Sequence, residues 1–440
     1  MKKIIRTLSL ALTFVVCLSV FRLPVSAARY QLPFEVNARA YVLASLDTGE
    51  IIFEKNSHER YDPASLTKLL TAYTTYQYVD DFENTKITVP RYIFDEIYGM
   101  NGSHADIWRG EILSVKDLMY AIMLPSANEG ALALADYLGN GDVTNFCMMM
   151  NNEARKLGCT NTNFTNPHGL FKDNHYTSAY DMYLIAKACY ELPGFMDIVT
   201  TERYLMPANL RHANPYWIQN TNRMQSKAHP DYYRSYVKGM KTGTLDYSNF
   251  VCTCQKNGEN YMLVVIGAEF ENGNKRSAMF TTQQIMDYFF DSYSLRSANT
   301  LNFPVTEVPL KYSADADTLL LYADIQVMSI LPNDADESSF QKIYNLPEYV
   351  GAPIAAGDVI GSVDYYLAGQ KVGTSRLVSH DDMERSTVMF LVGKFQEAYK
   401  SLYFRVVLAV TFVLVAIYFV ITYLQYKKHE KMQKVHRRRR

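Results

Sequence analysis

Hydrophobic and polar positions change rhythm several times along this chain. It opens on basic residues, Met1-Lys2-Lys3 with Arg6. An apolar run from Leu8 to Val20 leads to Val25-Ser26-Ala27. Basic, apolar and small residues in that order predict a signal peptide over 1–27. The alternative, a retained N-terminal anchor, has a short run for a membrane span. Ala40 to Asp47 and Gly49 to Phe53 meet at a Thr-Gly turn and predict a hairpin. Leu66 to Tyr78 carries Ala72, Tyr73 and Tyr76 at helical spacing, which predicts a helix with one apolar face. Leu113 to Leu138 is rich in helix formers and is broken at Pro125. Asn249 to Gln255 and Tyr261 to Glu269 are apolar runs joined by Lys-Asn-Gly-Glu-Asn, a hairpin signal. Gln283 to Tyr293 reads as a closing amphipathic helix. Strands and helices thus mix in an α/β (α+β) domain, placed at 28–298.

Past residue 300 the segments shorten. Thr306 to Pro309, Thr318 to Ser329 and Val359 to Val378 are β-like, with Gly and Asp at the turns. They predict a small all-β domain over 299–395, with no catalytic constellation. Val406 to Tyr426 is then 21 residues without a charge, long enough to cross a bilayer as a helix. A buried core helix is the alternative. The flank decides against it: Lys427 to Arg440 holds eight Lys or Arg and one Glu. Basic residues beside a span stay cytoplasmic. A membrane helix at 406–426, a cytoplasmic tail at 427–440 and an extracytoplasmic body form one consistent topology.

Charge changes the picture only at that end. The whole chain carries −1 and the tail +7, so the remainder carries −8. A mildly acidic body offers no basic face for a nucleic acid, and none is expected as a partner. Cysteine count is six; Cys17 goes with the signal peptide. Cys147, Cys159, Cys189, Cys252 and Cys254 are odd in number and sparse, so they are expected in the core rather than in disulfides. None has zinc spacing, and neither a metal nor a cofactor is expected.

Three short motifs carry the candidate chemistry: Ser65-Leu-Thr-Lys68, Ser126-Ala-Asn128 and Lys241-Thr-Gly243. Chance supplies roughly two Ser-x-x-Lys and about one Ser-x-Asn in a chain of this length, but only about 0.1 Lys-Thr-Gly. Ser235-Tyr-Val-Lys238 and Ser297-Ala-Asn299 are such extra copies. Ser65 and Lys68 lie three apart, so on a helix hydroxyl and amine share a face. A serine attacks a carbonyl only with a base, and a lysine serves when burial and a second cation keep it neutral. Lys241 is the candidate second cation. The Ser126 hydroxyl is placed to relay a proton to a leaving amine. Asn128 can hold Lys68 and a substrate amide. Lys241 and Thr242 suit a terminal carboxylate, and Gly243 permits close backbone approach. The backbone amides of Ser65 and Thr244 are candidates for an oxyanion hole. Taken singly, each motif is equally a helix cap or a turn.

The setting of the motifs settles the choice. Pro63-Ala-Ser-Leu-Thr-Lys-Leu-Leu-Thr-Ala-Tyr73, Gly102-Ser103, Gly110-Glu111, Asp117 to Asn128, Asn166-Pro-His-Gly-Leu170, His175 to Met182 and Lys238 to Gly243 together resemble the serine D-Ala-D-Ala carboxypeptidases. These are the low-molecular-mass penicillin-binding proteins, peptidase family S11. The Gly and Val pattern at 357–378 resembles their C-terminal β-domain. The resemblance implies a serine β-lactamase/transpeptidase-like catalytic fold. It implies that Ser65 attacks the carbonyl between two D-alanines of a peptidoglycan stem peptide, that D-Ala leaves, and that water frees the acyl chain. β-Lactams would stop at the acyl stage. His168 and His175 then order loops rather than act as bases.

There are departures. Tyr247-Ser-Asn-Phe-Val-Cys-Thr-Cys254 stands where the family has small Ala-Gly residues. Arg276 lies a residue or two off the family's arginine register and is left out of the candidate site. The C-terminal segment reads as a span rather than an amphipathic helix. A class A β-lactamase would need a deacylating glutamate in a Glu-x-x-x-Asn setting, and Glu191 is followed by Leu-Pro-Gly-Phe. The same motifs are also compatible with a D,D-endopeptidase and with a non-catalytic wall-organising scaffold.

Overall fold

The computed structural model describes residues 30–437, position 368 excepted. The expected signal peptide, 1–27, and the last three residues of the basic tail lie outside the described residues. The chain divides into two units, one up to Ser294 and one from Leu295 on.

The first unit is built on a five-stranded antiparallel sheet. Its strands are β1 (Ala40–Ser45), β2 (Ile51–Lys55), β3 (Val237–Thr244), β4 (Ser248–Lys256) and β5 (Glu259–Ala268), in the order β2-β1-β5-β4-β3. Both faces are covered, which explains the nearly unbroken apolar runs in β1 and β5. Val42, Ala44, Met262, Val264 and Ile266 enter the main core. Alternate residues point the other way: Phe53 and Tyr261 meet Phe289 edge-on, with centroids 6.2 and 4.8 Å apart. Phe289 belongs to the helix Ser277–Ser292, which begins six residues before the sequence signal at Gln283.

The helical side centres on α1 (Thr67–Tyr78), entered through a 3-10 turn at Ala64–Leu66 behind Pro63. The expected single apolar face is not what forms. Every residue from Thr67 to Thr75 except Tyr73 is buried, so the helix is surrounded. Thr75 Oγ1 donates locally to the Thr71 carbonyl at 2.8 Å, and Thr71 Oγ1 donates across to the Pro167 carbonyl at 2.6 Å. The Leu113–Leu138 segment splits as its proline requires. α2 (Val115–Met123) starts in a Ser114/Asp117 capping box. α3 (Asn128–Leu138) follows the turn. The unit also contains two longer helices, Val143–Lys156 and Ala179–Tyr190, and a hairpin of Arg203–Met206 with Tyr216–Gln219. All five described cysteines are free and buried.

The second unit is a six-stranded sheet with its own apolar core, including Leu319, Leu321, Val363, Tyr365 and Leu377. The β-like stretch at 318–329 is two strands, Thr318–Ala323 and Met328–Pro332, and 359–378 is one hairpin. A helix at Thr387–Lys400 has no buried residue and leaves Val388, Leu391 and Phe395 exposed. The last helix, Leu402–Arg437, contains within Leu402–Lys431 an 18-residue window with a mean hydropathy of 2.6, none of it buried. By length and composition that stretch fits a membrane anchor.

Candidate active site

Ser65 sits in the 3-10 turn and Lys68 in the first turn of α1, one turn further on. Lys68 Nζ lies 3.1 Å from Ser65 Oγ, 2.8 Å from Asn128 Oδ1 and 2.6 Å from the His168 carbonyl. The amine is completely buried. Burial, and then the nearby Lys241 cation, hold it well below the usual lysine range, while Glu129 pulls weakly the other way. As a neutral amine Lys68 has two N–H donors and one lone pair. The donors serve Asn128 and the His168 carbonyl, and the lone pair is left to accept the Ser65 hydroxyl proton.

The backbone around Ser65 is held from several sides. Ala64 has φ +51, a left-handed value that only surrounding contacts maintain. Thr67 Oγ1 donates to the Ala64 carbonyl at 2.8 Å. His175 Nδ1 accepts the Thr165 N–H at 3.0 Å, so its proton is on Nε2, facing Thr67 Oγ1 at 2.9 Å. Burial pushes that imidazole down to about 3, which keeps it neutral. Gly169 has φ +86, and a Cβ there would fall 1.8 Å from the Ala64 carbonyl oxygen. The loop at 166–170 is therefore moulded onto the Ser65 turn and delivers the His168 carbonyl to Lys68.

Ser126 follows Pro125 with φ +70. It does not cap the helix: the N-cap of α3 is Ala127. Its Oγ is buried and has no hydrogen-bond partner among the described residues. Asn128 opens α3, and its N–H donates to the Ser103 carbonyl at 3.0 Å, which fixes the Gly102-Ser103 segment beside it.

The sequence places Lys241-Thr-Gly243 just before a strand; in the structure it lies inside one, the edge strand β3. Residues 237–244 lack apolar alternation because one side of β3 faces the Ser65 turn. A Cβ on Gly243 would meet the Pro63 carbonyl at 3.0 Å and Ala64 Cβ at 3.2 Å. Lys241 is fully buried, and its Nζ donates to the Thr242 carbonyl at 3.0 Å. Burial pushes it down to about 7. Lys68 feels the charge of Lys241, so Lys68 gives up its proton first and Lys241 remains the cation.

Ser65, Ser103, Ser126, Thr221, Thr242, Thr244, Lys275 and Arg276 line one cleft of about 250 Å³. Sequence reasoning missed Thr221 and Lys275 and set Arg276 aside. Arg276 was findable as a cation before the closing helix; Thr221 carries no motif. Asn249, read as a departure in β4, turns out to be a tie. Its Nδ2 donates to the Asp62 and Pro63 carbonyls at 3.1 Å each, and its Oδ1 accepts the Gly267 N–H at 2.8 Å. The extra motif copies lie outside the cleft. Ser235 and Lys238 are exposed. Ser297 Oγ donates to the Asn299 carbonyl at 2.6 Å, and Asn299 bonds to Ile325 and Val327.

Comparison with known proteins bears on family and fold. The D-alanyl-D-alanine carboxypeptidase family, peptidase S11, matches residues 26–270, and the penicillin-binding protein 5 C-terminal domain matches residues 290–385. The chain is 26% identical over 349 residues to the D-alanyl-D-alanine carboxypeptidase DacF of Bacillus subtilis, covering 79% of this chain and 86% of that one. It is 27% identical over 371 residues to DacC of Escherichia coli, covering 79% and 85%. Among solved structures, penicillin binding protein 5 of Haemophilus influenzae superposes with a TM-score of 0.58 at 26% identity, covering 80% of this chain and 99% of that one. DacD of Francisella tularensis shares the fold, with a TM-score of 0.61 at 21% identity over 82% and 97% of the two chains.

Proposed function

The chain belongs to the D-alanyl-D-alanine carboxypeptidase family, a family of serine hydrolases, and from that premise we propose that Ser65 is the nucleophile, Lys68 its base, and Ser126, Asn128 and the Lys241–Thr244 strand the remaining parts of the site. The enzyme removes the terminal D-Ala from peptidoglycan stem peptides ending in D-Ala-D-Ala, and penicillins acylate it.

Ser65 Oγ attacks the carbonyl between the two D-alanines as its proton passes to the Lys68 lone pair. Negative charge grows on the carbonyl oxygen, within reach of the Ser65 and Thr244 backbone N–H groups. Collapse breaks the C–N bond. The proton now on Lys68 reaches the departing amine through Ser126 Oγ, and D-Ala leaves. Water then attacks the Ser65 ester, again giving a proton to Lys68, and the acid product and free Ser65 result. The substrate lies extended along the edge of β3. Its terminal carboxylate meets Thr242, in the field of Lys241.

The observation that carries this reading is the Lys68 triad. A fully buried amine lies 3.1 Å from a serine hydroxyl, with its other two hydrogen bonds already assigned. The catalytic domain spans 28–298, the β-rich domain 299–395, and the segment 406–426 holds both on the outer face of the membrane with the basic tail inside. The test is D-Ala release from a stem pentapeptide. Ser65→Ala and Lys68→Ala each lose nearly all of it, because units of this kind fail together. Ser235→Ala and Ser297→Ala keep wild-type rates. Loss of activity in either of the latter pair would contradict the assignment.

A further inference from the structure

Thr221 stands at the meeting point of the two cleft walls, and none of the three motifs contains it. Its neighbours fix it: Asn220 Nδ2 donates to the Val199 and Thr201 carbonyls at 3.0 Å each, and Asn222 Nδ2 donates to the Gly239 carbonyl at 2.7 Å. The Thr221 N–H donates to the Leu124 carbonyl at 3.1 Å, two residues before Ser126. Thr221 Oγ1 lies 3.2 Å from that same carbonyl and 2.7 Å from Thr242 Oγ1. Both threonines line the cleft.

The two hydroxyls hold two protons and can be arranged in two ways. In the first, Thr221 donates to the Leu124 carbonyl and Thr242 donates to Thr221. In the second, Thr221 donates to Thr242, and Thr242 is free to donate into the cleft. A carboxylate only accepts, so a substrate carboxylate at Thr242 demands the second arrangement. The change orphans nothing, because the Leu124 carbonyl keeps the Thr221 backbone N–H. A hydroxyl that receives a hydrogen bond is also a better donor.

We propose that Thr221 is a positioning residue that turns the Thr242 hydroxyl toward the substrate's terminal carboxylate and so sets the enzyme's preference for a free C-terminus. The proposal rests on the reading that Thr242 meets that carboxylate.

The test compares kcat/KM for two pentapeptides, one ending in D-Ala-D-Ala with a free carboxylate and one with that carboxylate amidated, the latter releasing D-alaninamide. Thr221→Val should lower the free-acid value about tenfold, through KM more than kcat, while leaving the amide value nearly unchanged. Thr221→Ser, which keeps the hydroxyl, should restore the preference for the acid. Thr242→Val is the reference variant. If it collapses the acid-to-amide ratio and Thr221→Val does not, Thr221 has no such role. An equal loss on both peptides in Thr221→Val, not restored by serine, makes Thr221 a strut and overturns the proposal. If Thr242→Val leaves the ratio unchanged, the carboxylate is held elsewhere, and the reading of Thr242 falls together with this one.

Discussion

At the scale of single residues, the site depends on two buried lysines in different charge states. In the proposed mechanism Lys68 works as a neutral base, whereas Lys241 works as a cation. kcat/KM should therefore rise with pH as free-enzyme Lys68 loses its proton, and fall again above about 7 as Lys241 loses its own. Lys241→Arg keeps its charge at every working pH. A pH profile of this variant should keep the acid limb and lose the alkaline one; an unmoved alkaline limb would assign that limb to another group. The same burial costs stability. Between about pH 7 and the ordinary lysine value the folded chain binds fewer protons than the unfolded one, so stability climbs with pH across that window. Lys241→Met removes the penalty, a few kcal/mol at most. Thermal melts should show a gain that is largest below about pH 7 and shrinks toward pH 10, with acylation impaired.

At the scale of elements, the site is assembled by parts that short motifs do not reveal. Ser65, Lys68, Ser126 and Asn128 were legible because each pair sits within one helical turn or one tight turn, where sequence spacing already fixes geometry. The hairpin of β4 and β5 was legible from its apolar runs and its Asn-Gly turn. β3 was not, because its glycines and lysines answer to the Ser65 turn beside it rather than to the sheet pattern. Asn249 looked like a departure for the same reason: its partners, Asp62 and Pro63, are distant in sequence. Asn249→Ala strands two carbonyls and the Gly267 N–H, and should cost roughly 3 kcal/mol in a denaturant melt and slow acylation. Gly169→Ala should do more harm. The added carbon strikes backbone at a left-handed position, and no rotamer relieves it. Its folded fraction should fall sharply, and a variant that melts like wild type would mean that the 166–170 loop moves freely from Ala64.

At the scale of the whole molecule, an enzyme unit and a β-rich unit precede a helix that has no buried face. The apolar window within Leu402–Lys431 is not buried among the described residues, which is why it suits lipid. The full chain should stay with membranes through alkaline carbonate extraction, and a chain ending at Lys400 should be released by it with penicillin acylation intact. Release of the full chain would remove the anchor from the topology. The central claim, however, concerns one oxygen atom. Incubating the protein with a penicillin and locating the adduct by peptide mass spectrometry tests it most directly. A long-lived acyl group on Ser65, absent in Ser65→Ala and present in Ser235→Ala, is the expected result. An adduct on any other serine, or none on folded protein, would contradict it.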